Sequence, residues 1–345
     1  MAVFRRKRKT VGLDIGSAFA KLVEVDHGGD TPELTRVAVA PVPQGALTDG
    51  EVTGPGRLGA LVQKLGEALP TGTAEVVTAL GGHDVFMKIL SMTSPSGAPK
   101  GEAVRREAEH HVPFDLREIQ LDYHVLGADP DDGSADVLLV AAKRERVEAR
   151  VALLGSAGLG VSLIDVEALA LHNMLVHNHP EAADGMATLV NVGHEVTSVN
   201  ILDDGMPVFA KGLPFGLGWI LERLRRARGL TRSEAEQALR HRQYDTELAS
   251  VVDTVAGHVV TGVERASAVI TTRTPRRGIG RVYMSGGGAC IPGLADYVAR
   301  RVKVETRLAN PCERVLIRPG LAAHWALDQA APMLGLAIGL ALRTA

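Results

Sequence analysis

Two stretches of this chain read as the same hairpin, and a hairpin repeated at the start of each half is the signature of a duplicated domain. The first is GLDIGSAFAKLVEVD, residues 12–26. An apolar run reaches Asp14, turns at Gly16-Ser17 and returns as alternating apolar residues through Leu22, Val23 and Val25. The second is TLVNVGHEVTSVNILDDG, residues 188–205. With Asp14 set over Asn191, Gly16 falls on Gly193, Ser17 on His194, Lys21 on Ser198, Asp26 on Asp203 and Gly28 on Gly205. A chain of 345 residues suits about two domains of roughly 150 residues each.

The segments between the hairpins alternate in type. RLGALVQKLGEAL (57–69) has apolar residues at helical spacing, AEVVTAL is a buried strand, and DVLLVAAK (136–143) is another, followed by the helix RERVEARVALLGSAG. The strand GVSLIDV and the helix EALALHNML come next. This rhythm implies parallel strands covered by helices, hence an α/β fold. The expected division is a basic tail at 1–10, a first lobe at 11–82 and 150–185, an inserted α+β subdomain at 83–149 and a second lobe at 186–345 with a helical part at 215–275. The insert holds the helix GEAVRREAEHHV, stopped by Pro113, and the strand IQLDYHVLG. Its first connection, SPSGAPKG, reads as a loop.

Composition narrows the function. A net charge of −2 lacks the basic excess of a nucleic-acid footprint. Two cysteines, Cys290 and Cys312, make no disulfide framework and point to a reducing compartment, with Cys290 expected as a small buried residue. PMLGLAIGLALRTA is too short to span a membrane, and MAVFRRKRKT has no apolar stretch after it to make a secretory signal. Its cations, Arg5 to Lys9, form either a solvated tail or a patch attracted to anionic lipid. His110, His111, His177 and His179 lack the cysteines and clustered carboxylates of a metal site and are expected to be solvated or capping.

The turns carry the chemistry. Glycine lets backbone approach a ligand closely, and successive amides in such a turn form a concave anion site. Two hairpins facing each other across a cleft would clasp a polyphosphate. Gly16, Ser17 and Ala18 would offer N–H groups, with Asn191, Gly193 and His194 at the matching turn. Lys21 is placed to reach a phosphate, and Asp14 to hold a hydrated Mg²⁺. The same residues also suit a plain β-turn with a solvent-facing lysine. A third element, RVYMSGGGACIPGLADYVARRV, runs strand, Gly286-Gly287-Gly288-Ala289, then a helix near Pro292. Three glycines at a strand's carboxyl end imply close backbone approach by a ring or phosphate, although a tight turn would need one. This is not a Walker A loop.

These three pieces in this order resemble the actin, chaperone and sugar-kinase ATPase superfamily, whose D-x-G-S-x-x-x-K pattern matches at Asp14, Gly16, Ser17 and Lys21. Within it, the stretch from residue 10 to 343 is similar to the PilM family, the cytoplasmic actin-like proteins of type IV pilus machines. RREAEHHVPFDLREIQLDYHVLG, GLGVSLIDVEALAL, GLPFGLGWILERLRRARGLTRSEAEQAL and MSGGGACIPGLADY carry that resemblance. It implies two related RNase H-like lobes around ATP and Mg²⁺, with Gly218, Glu236 and Arg240 near the adenosine. It also implies that the insert and the neighbouring lobe bind the cytoplasmic tail of PilN, an inner-membrane protein, with Val112, Pro113 and Phe114 as candidate groove residues. Peripheral attachment to the inner membrane through that partner, and possible self-association, follow from the same likeness.

One departure stands out. Position 191 is Asn where many superfamily members have Asp, and Asn carries no charge toward Mg²⁺ and cannot act as a base. Glu167, after LID, and Glu195 are the candidates for positioning a hydrolytic water. Phosphoryl transfer relies chiefly on positioning and charge, so losing one carboxylate favours slow turnover or a scaffold that holds nucleotide. The alternatives are an FtsA-like division protein, which would carry a terminal membrane helix not seen up to Ala345, and a kinase of the same superfamily, which would need a substrate-base Asp.

Overall fold

The opening hairpin forms as read, and so does its repeat. The computed structural model describes residues 9–48, 50–70, 75–93, 101–128, 133–240, 246–271, 278–321 and 331–343. The cations Arg5 to Arg8 and residues 94–100 of the insert's first loop lie outside them. Lys9 begins a strand rather than ending a tail, with its Nζ 3.1 Å from Glu24 Oε1.

In chain order the first half comprises β1 (Lys9–Ile15), β2 (Phe19–Asp26), β3 (Glu33–Pro41), the ribbon β4 (Leu47–Thr48) and β5 (Glu51–Val52), α1 (Pro55–Gly66) and β6 (Glu75–Leu80). The insert supplies β7 (Val85–Thr93), α2 (Gly101–His111), β8 (Ile119–Ala128) and β9 (Ser134–Lys143). Then come α3 (Arg144–Ser156), β10 (Gly160–Val166) and α4 (Glu167–Asn178). The second half comprises β11 (Met186–Val192), β12 (Thr197–Asp203), β13 (Met206–Leu213), α5 (Leu217–Arg228), α6 (Arg232–Arg240), α7 (Thr246–Thr271), β14 (Arg281–Ser285), α8 (Leu294–Val302), β15 (Glu305–Leu308), β16 (Leu316–Ile317) and α9 (Gly335–Ala341).

The two main sheets have one topology. The first runs β10-β6-β1-β2-β3 and the second β15-β14-β11-β12-β13. In each, the hairpin strands and their neighbour are antiparallel and the two remaining strands join in parallel. Alternate strand residues face opposite sides. On the outer face of the first sheet Leu13, Ala20 and Leu22 pack with Leu58 and Val62 of α1 and Leu154 of α3. The outer face of the second presents Val190, Val199 and Ile201 to α5, α7 and α8.

The inner faces are covered by exchange. Leu171, Met174 and Leu175 of α4 lie on Leu189, Leu202 and Tyr283 of the second sheet. Ala337, Ile338 and Ala341 of α9 lie on Val23, Val25 and Leu34 of the first. A helix from each half therefore closes the core of the other. The two helices run antiparallel in contact, so close that a Cβ at Gly339 would overlap the carbonyl oxygen of Ala170. Arg343 ties the far end to Asp165 at 3.2 Å. Two pieces of the span expected to form the second lobe thus join the first: β16 adds to β3 and α9 covers β1 and β2. The reason is hydrophobic. GLAIGLA is apolar on every side and is stable only where it is buried all round, and its residues are nearly all inaccessible. Among the described residues no helix is long and apolar enough to cross a membrane.

The insert is a three-stranded antiparallel sheet, β7-β9-β8, with α2 on one face over Leu90, Val137 and Leu139. Pro113 follows α2 closely, as expected of a residue that cannot continue a helix. Cys290, expected to be buried, is exposed at the end of the turn Gly287–Cys290, where the loop carries it outward. His179 is buried and its Nε2 accepts the amide of Asn310 at 3.1 Å.

Candidate functional site

The first hairpin tip is a closed turn over a buried ion pair. Asp14 lies opposite Lys21 in the β1–β2 register. Lys21 Nζ donates to Asp14 Oδ2 at 2.6 Å, with the side chains only 13% and 8% exposed. That burial removes the reading of a solvent-facing lysine. The amide of Gly16 donates to Phe19 O at 3.2 Å, closing the turn, so of the three amides expected to face a phosphate this one is engaged within the protein. Ser17 and Ala18 sit half-buried at the tip.

Beneath the tip lies a set of charges. Glu167 opens α4, and Gly81 leaves room for it, since a Cβ there would overlap its carboxyl. The carboxyl lies deep while part of the residue's surface stays open. Burial first, then the negative charge of Asp14, push its pKa up to about 6, against the pull of Arg150 and Lys21. An acid at a helix N-terminus is ordinarily stabilised by the dipole; here desolvation wins. Arg150 of α3 is buried, and burial draws its pKa down while Glu167 and Asp14 oppose. Its Nη1 donates to Thr78 Oγ1 at 3.3 Å, and Thr78 Oγ1 donates to Leu13 O at 2.9 Å. Asp14, Glu167, Lys21 and Arg150 form a group of two anions and two cations. The sequence reading missed Arg150 and Thr78.

The second hairpin repeats the turn without the charge. Asn191 lies opposite Ser198, the register of Asp14 and Lys21, and the amide of Gly193 donates to Val196 O at 3.0 Å. The start of α5 seats on this turn: Leu217 N donates to Gly193 O and Gly218 N to His194 O, each at 2.8 Å. Burial lowers the His194 pKa, the charge of Arg232 lowers it further and Glu236 opposes, which brings Gly218, His194 and Glu236 into one neighbourhood. Arg240 ends α6, with its side chain outside the described residues. Glu195 is exposed at the tip.

The glycine run packs against this turn. β14 places Ser285 opposite Asn191, and Gly286 follows with φ 85°. A Cβ at Gly286 would stand 2.5 Å from Val192 O and 2.8 Å from Asn191 Oδ1, and one at Gly288 would overlap the Val192 side chain. Gly287 faces open space and Ala289 is buried. Two of the three glycines therefore answer to packing on β11, and Gly287 alone borders open space. Gly286 N donates to Pro332 O at 2.9 Å, tying the run to the lead-in of α9. α4, which starts in the charge group of the first hairpin, runs on to contact β12 and β13, and β13 also touches the turn Gly82–Asp84 and β7.

In the insert, Val112 belongs to the insert's own core, Pro113 is exposed and Phe114 is half-buried with Lys143 Nζ 5.7 Å from its ring centre. Among the described residues no three His, Cys, Asp or Glu side chains are grouped to hold a metal ion by themselves.

Comparison with known proteins matches residues 12–345 to the family model described as type IV pilus assembly protein PilM. A chain of a solved PilM-PilN type IV pilus biogenesis complex is 28% identical with a TM-score of 0.82, over 98% of this chain and 99% of that one. The ethanolamine utilization protein EutJ from Carboxydothermus hydrogenoformans is 17% identical with a TM-score of 0.57, over 98% and 90%. MreB5 of Spiroplasma citri bound to AMPPNP is 12% identical with a TM-score of 0.54, over 97% and 95%. The last two share the fold, an actin-like one of two related α/β lobes. The chain belongs to the PilM family of type IV pilus assembly proteins.

Proposed function

We infer that this protein is a nucleotide-binding scaffold of the type IV pilus machine, holding ATP with Mg²⁺ between its two hairpins and capturing the cytoplasmic tail of PilN. The observation that carries the nucleotide reading is the pair of hairpins with one register and one turn hydrogen bond, at equivalent places in two equivalent sheets. The residues present fit the ligand. Lys21 is a largely buried cation, Ser17 and Ala18 are at the tip, and Gly287 borders open space. Mg²⁺ that arrives with a nucleotide needs one or two carboxylates, which Asp14 meets. When bound, Mg²⁺ neutralises phosphate charge.

Lys21 would orient the phosphates, handing its charge from Asp14 to them. Glu167, ionised at neutral pH but basic for a carboxylate, would hold a water through its Oε atoms. Asn191 adds no charge opposite, so turnover would be slow. Gly218, His194, Glu236 and Arg240 would border the adenosine. The PilN tail would lie as an extended peptide along the insert, using Pro113 and the open side of Phe114, and would hold the protein at the cytoplasmic side of the inner membrane. A labelled PilN tail peptide tests this by anisotropy: wild-type protein binds it and Phe114→Asp weakens it about tenfold or more, whereas equal binding by both would remove the insert from the interface.

A further inference from the structure

On the outer face of the second lobe a groove of about 790 Å³ runs between β13 and α7. Of the two hairpins only Val199, well below the second turn, borders it, and no turn or glycine-run residue does. Aromatic residues are scarce in this chain, yet one of the two tryptophans and two of the six phenylalanines meet here: Trp219, Phe209 and Phe215. His258 of α7 stacks between two of them, its ring 5.3 Å from Phe215 and edge-on at 5.7 Å from Trp219. Arg223 covers another part of Trp219 at 4.8 Å. Phe215 belongs to the core of the lobe, while Phe209 and Trp219 are only partly covered; half-covered aromatics bordering a groove are enriched at recognition surfaces.

The rim is positive. Lys211, Arg265 and Arg301 line the groove and are exposed, with Glu264 the one acidic residue among the lining groups. Some of the lobe's other cations are paired, Arg225 and Arg226 with Glu222, Arg232 with Glu236 and Arg307 with Glu181. Lys211, Arg265 and Arg301 make no ion pair with any described residue. The hydroxyls of the α7 wall are already satisfied, Thr254 donating to Ser250 O at 2.8 Å and Thr261 to Gly257 O at 2.9 Å. What the groove offers is an apolar floor and exposed cations, three against the one carboxylate of Glu264, that pair with no described residue.

The geometry points to a docking site for a short acidic segment of a partner protein, with an aromatic or branched side chain on the Phe215–Trp219 floor and carboxylates reaching Lys211, Arg265 and Arg301. Charge complementarity selects the class of occupant. Thr254, His258, Thr261 and Arg265 follow one side of α7 for three turns, roughly 16 Å, which is the span of about five residues of extended chain. An anchor in a dry pocket would supply affinity, and the cations would supply selection against neutral and basic sequences.

The experiment uses the full-length protein and two labelled peptides of about six residues, with the same Leu-Phe anchor flanked by Glu in one and Lys in the other. The Glu peptide binds by anisotropy, the Lys peptide does not, and raising NaCl from about 50 to about 500 mM weakens the complex about tenfold or more. The double variant Lys211→Glu/Arg265→Glu, changed only at exposed side chains and checked by circular dichroism, loses the Glu peptide by a similar factor. Failure of the Glu peptide to bind, equal binding of both peptides, or full binding by the double variant overturns the proposal. Sedimentation of the same two proteins separates the other occupant. If wild-type protein self-associates and the charge-reversed variant is monomeric, the groove receives a second copy and the partner segment is excluded.

Discussion

In the first lobe the pair beneath the hairpin is Asp14 and Lys21, joined at 2.6 Å and largely shielded from water. In the second lobe the pair at the same register is Asn191 and Ser198, both neutral. The turns above them are alike to the atom that closes them, the amide of Gly16 on Phe19 O and the amide of Gly193 on Val196 O. Duplication has kept the backbone and assigned charge to one side. What each side then does with its turn also differs. The first sits over Glu167 and Arg150, while the second is packed by the start of α5 and by Gly286 and Gly288. One lobe is built to hold charge and the other to hold shape.

The sharpest way to break that contrast is to remove one charge. Asp14→Ala or Lys21→Ala takes the nearest counter-ion from a largely buried charge and is expected to destabilise by about 3 kcal/mol. Asn191→Ala or Ser198→Ala in the second lobe is expected to cost about 1 kcal/mol or less. Urea unfolding of the four variants checks it. The swap Asp14→Asn/Lys21→Ser, which gives the first hairpin the second's residues, removes both ions together and should cost less than either single truncation.

The two lobes should also answer pH in opposite directions. Below about pH 4.5 Glu167 is protonated folded or unfolded and costs nothing; above about 6 it is ionised in both, and the folded chain carries the whole penalty, about 2 kcal/mol. Glu167→Gln should therefore stabilise the protein by about 2 kcal/mol at pH 7.5 and by almost nothing at pH 4.5. His194 acts in reverse. Its lowered pKa makes protonation unfavourable in the folded state, so stability falls as pH drops below the ordinary histidine value, and His194→Asn should blunt that fall. Equal pH profiles for wild type and both variants would contradict these assignments.

Smaller effects separate the turns themselves. A Cβ at Gly193 would meet Val196 O at 2.6 Å, whereas one at Gly16 finds Phe19 O at 3.2 Å. Gly193→Ala should cost roughly 1–2 kcal/mol and Gly16→Ala less, read as thermal midpoints. At the tips, Phe19 and Val196 occupy equivalent positions and both are exposed. Phe19→Ser and Val196→Ser should each change stability by about 0.5 kcal/mol or less.

The repeat was legible in the sequence because a hairpin writes its register locally. Placing Asp14 over Asn191 and Lys21 over Ser198 needs only matched spacing, and the strand pairing follows it. The insert's α2 and its stop before Pro113 were legible for the same reason. Arg150 was not. On α3 it reads as one more helix-surface cation, and only the approach of β1, β6 and α4 makes it a buried counter-ion. The three glycines of the run looked alike in sequence, but two face β11 and one faces open space, a difference set by a strand about a hundred residues earlier. The return of α9 to the first sheet was also hidden, since GLAIGLA states only that it must be buried and not beneath which lobe. Pairing between distant segments is the part that local pattern does not encode.

The central claim is that both hairpins grip one polyphosphate. Hydrogen exchange of the full-length protein with and without Mg-ATP measures it most directly. Protection should rise together in residues 15–21 and 192–198 at one nucleotide concentration, and both gains should vanish in Lys21→Ala. Protection confined to one hairpin, or absent from both at saturating nucleotide, would contradict it.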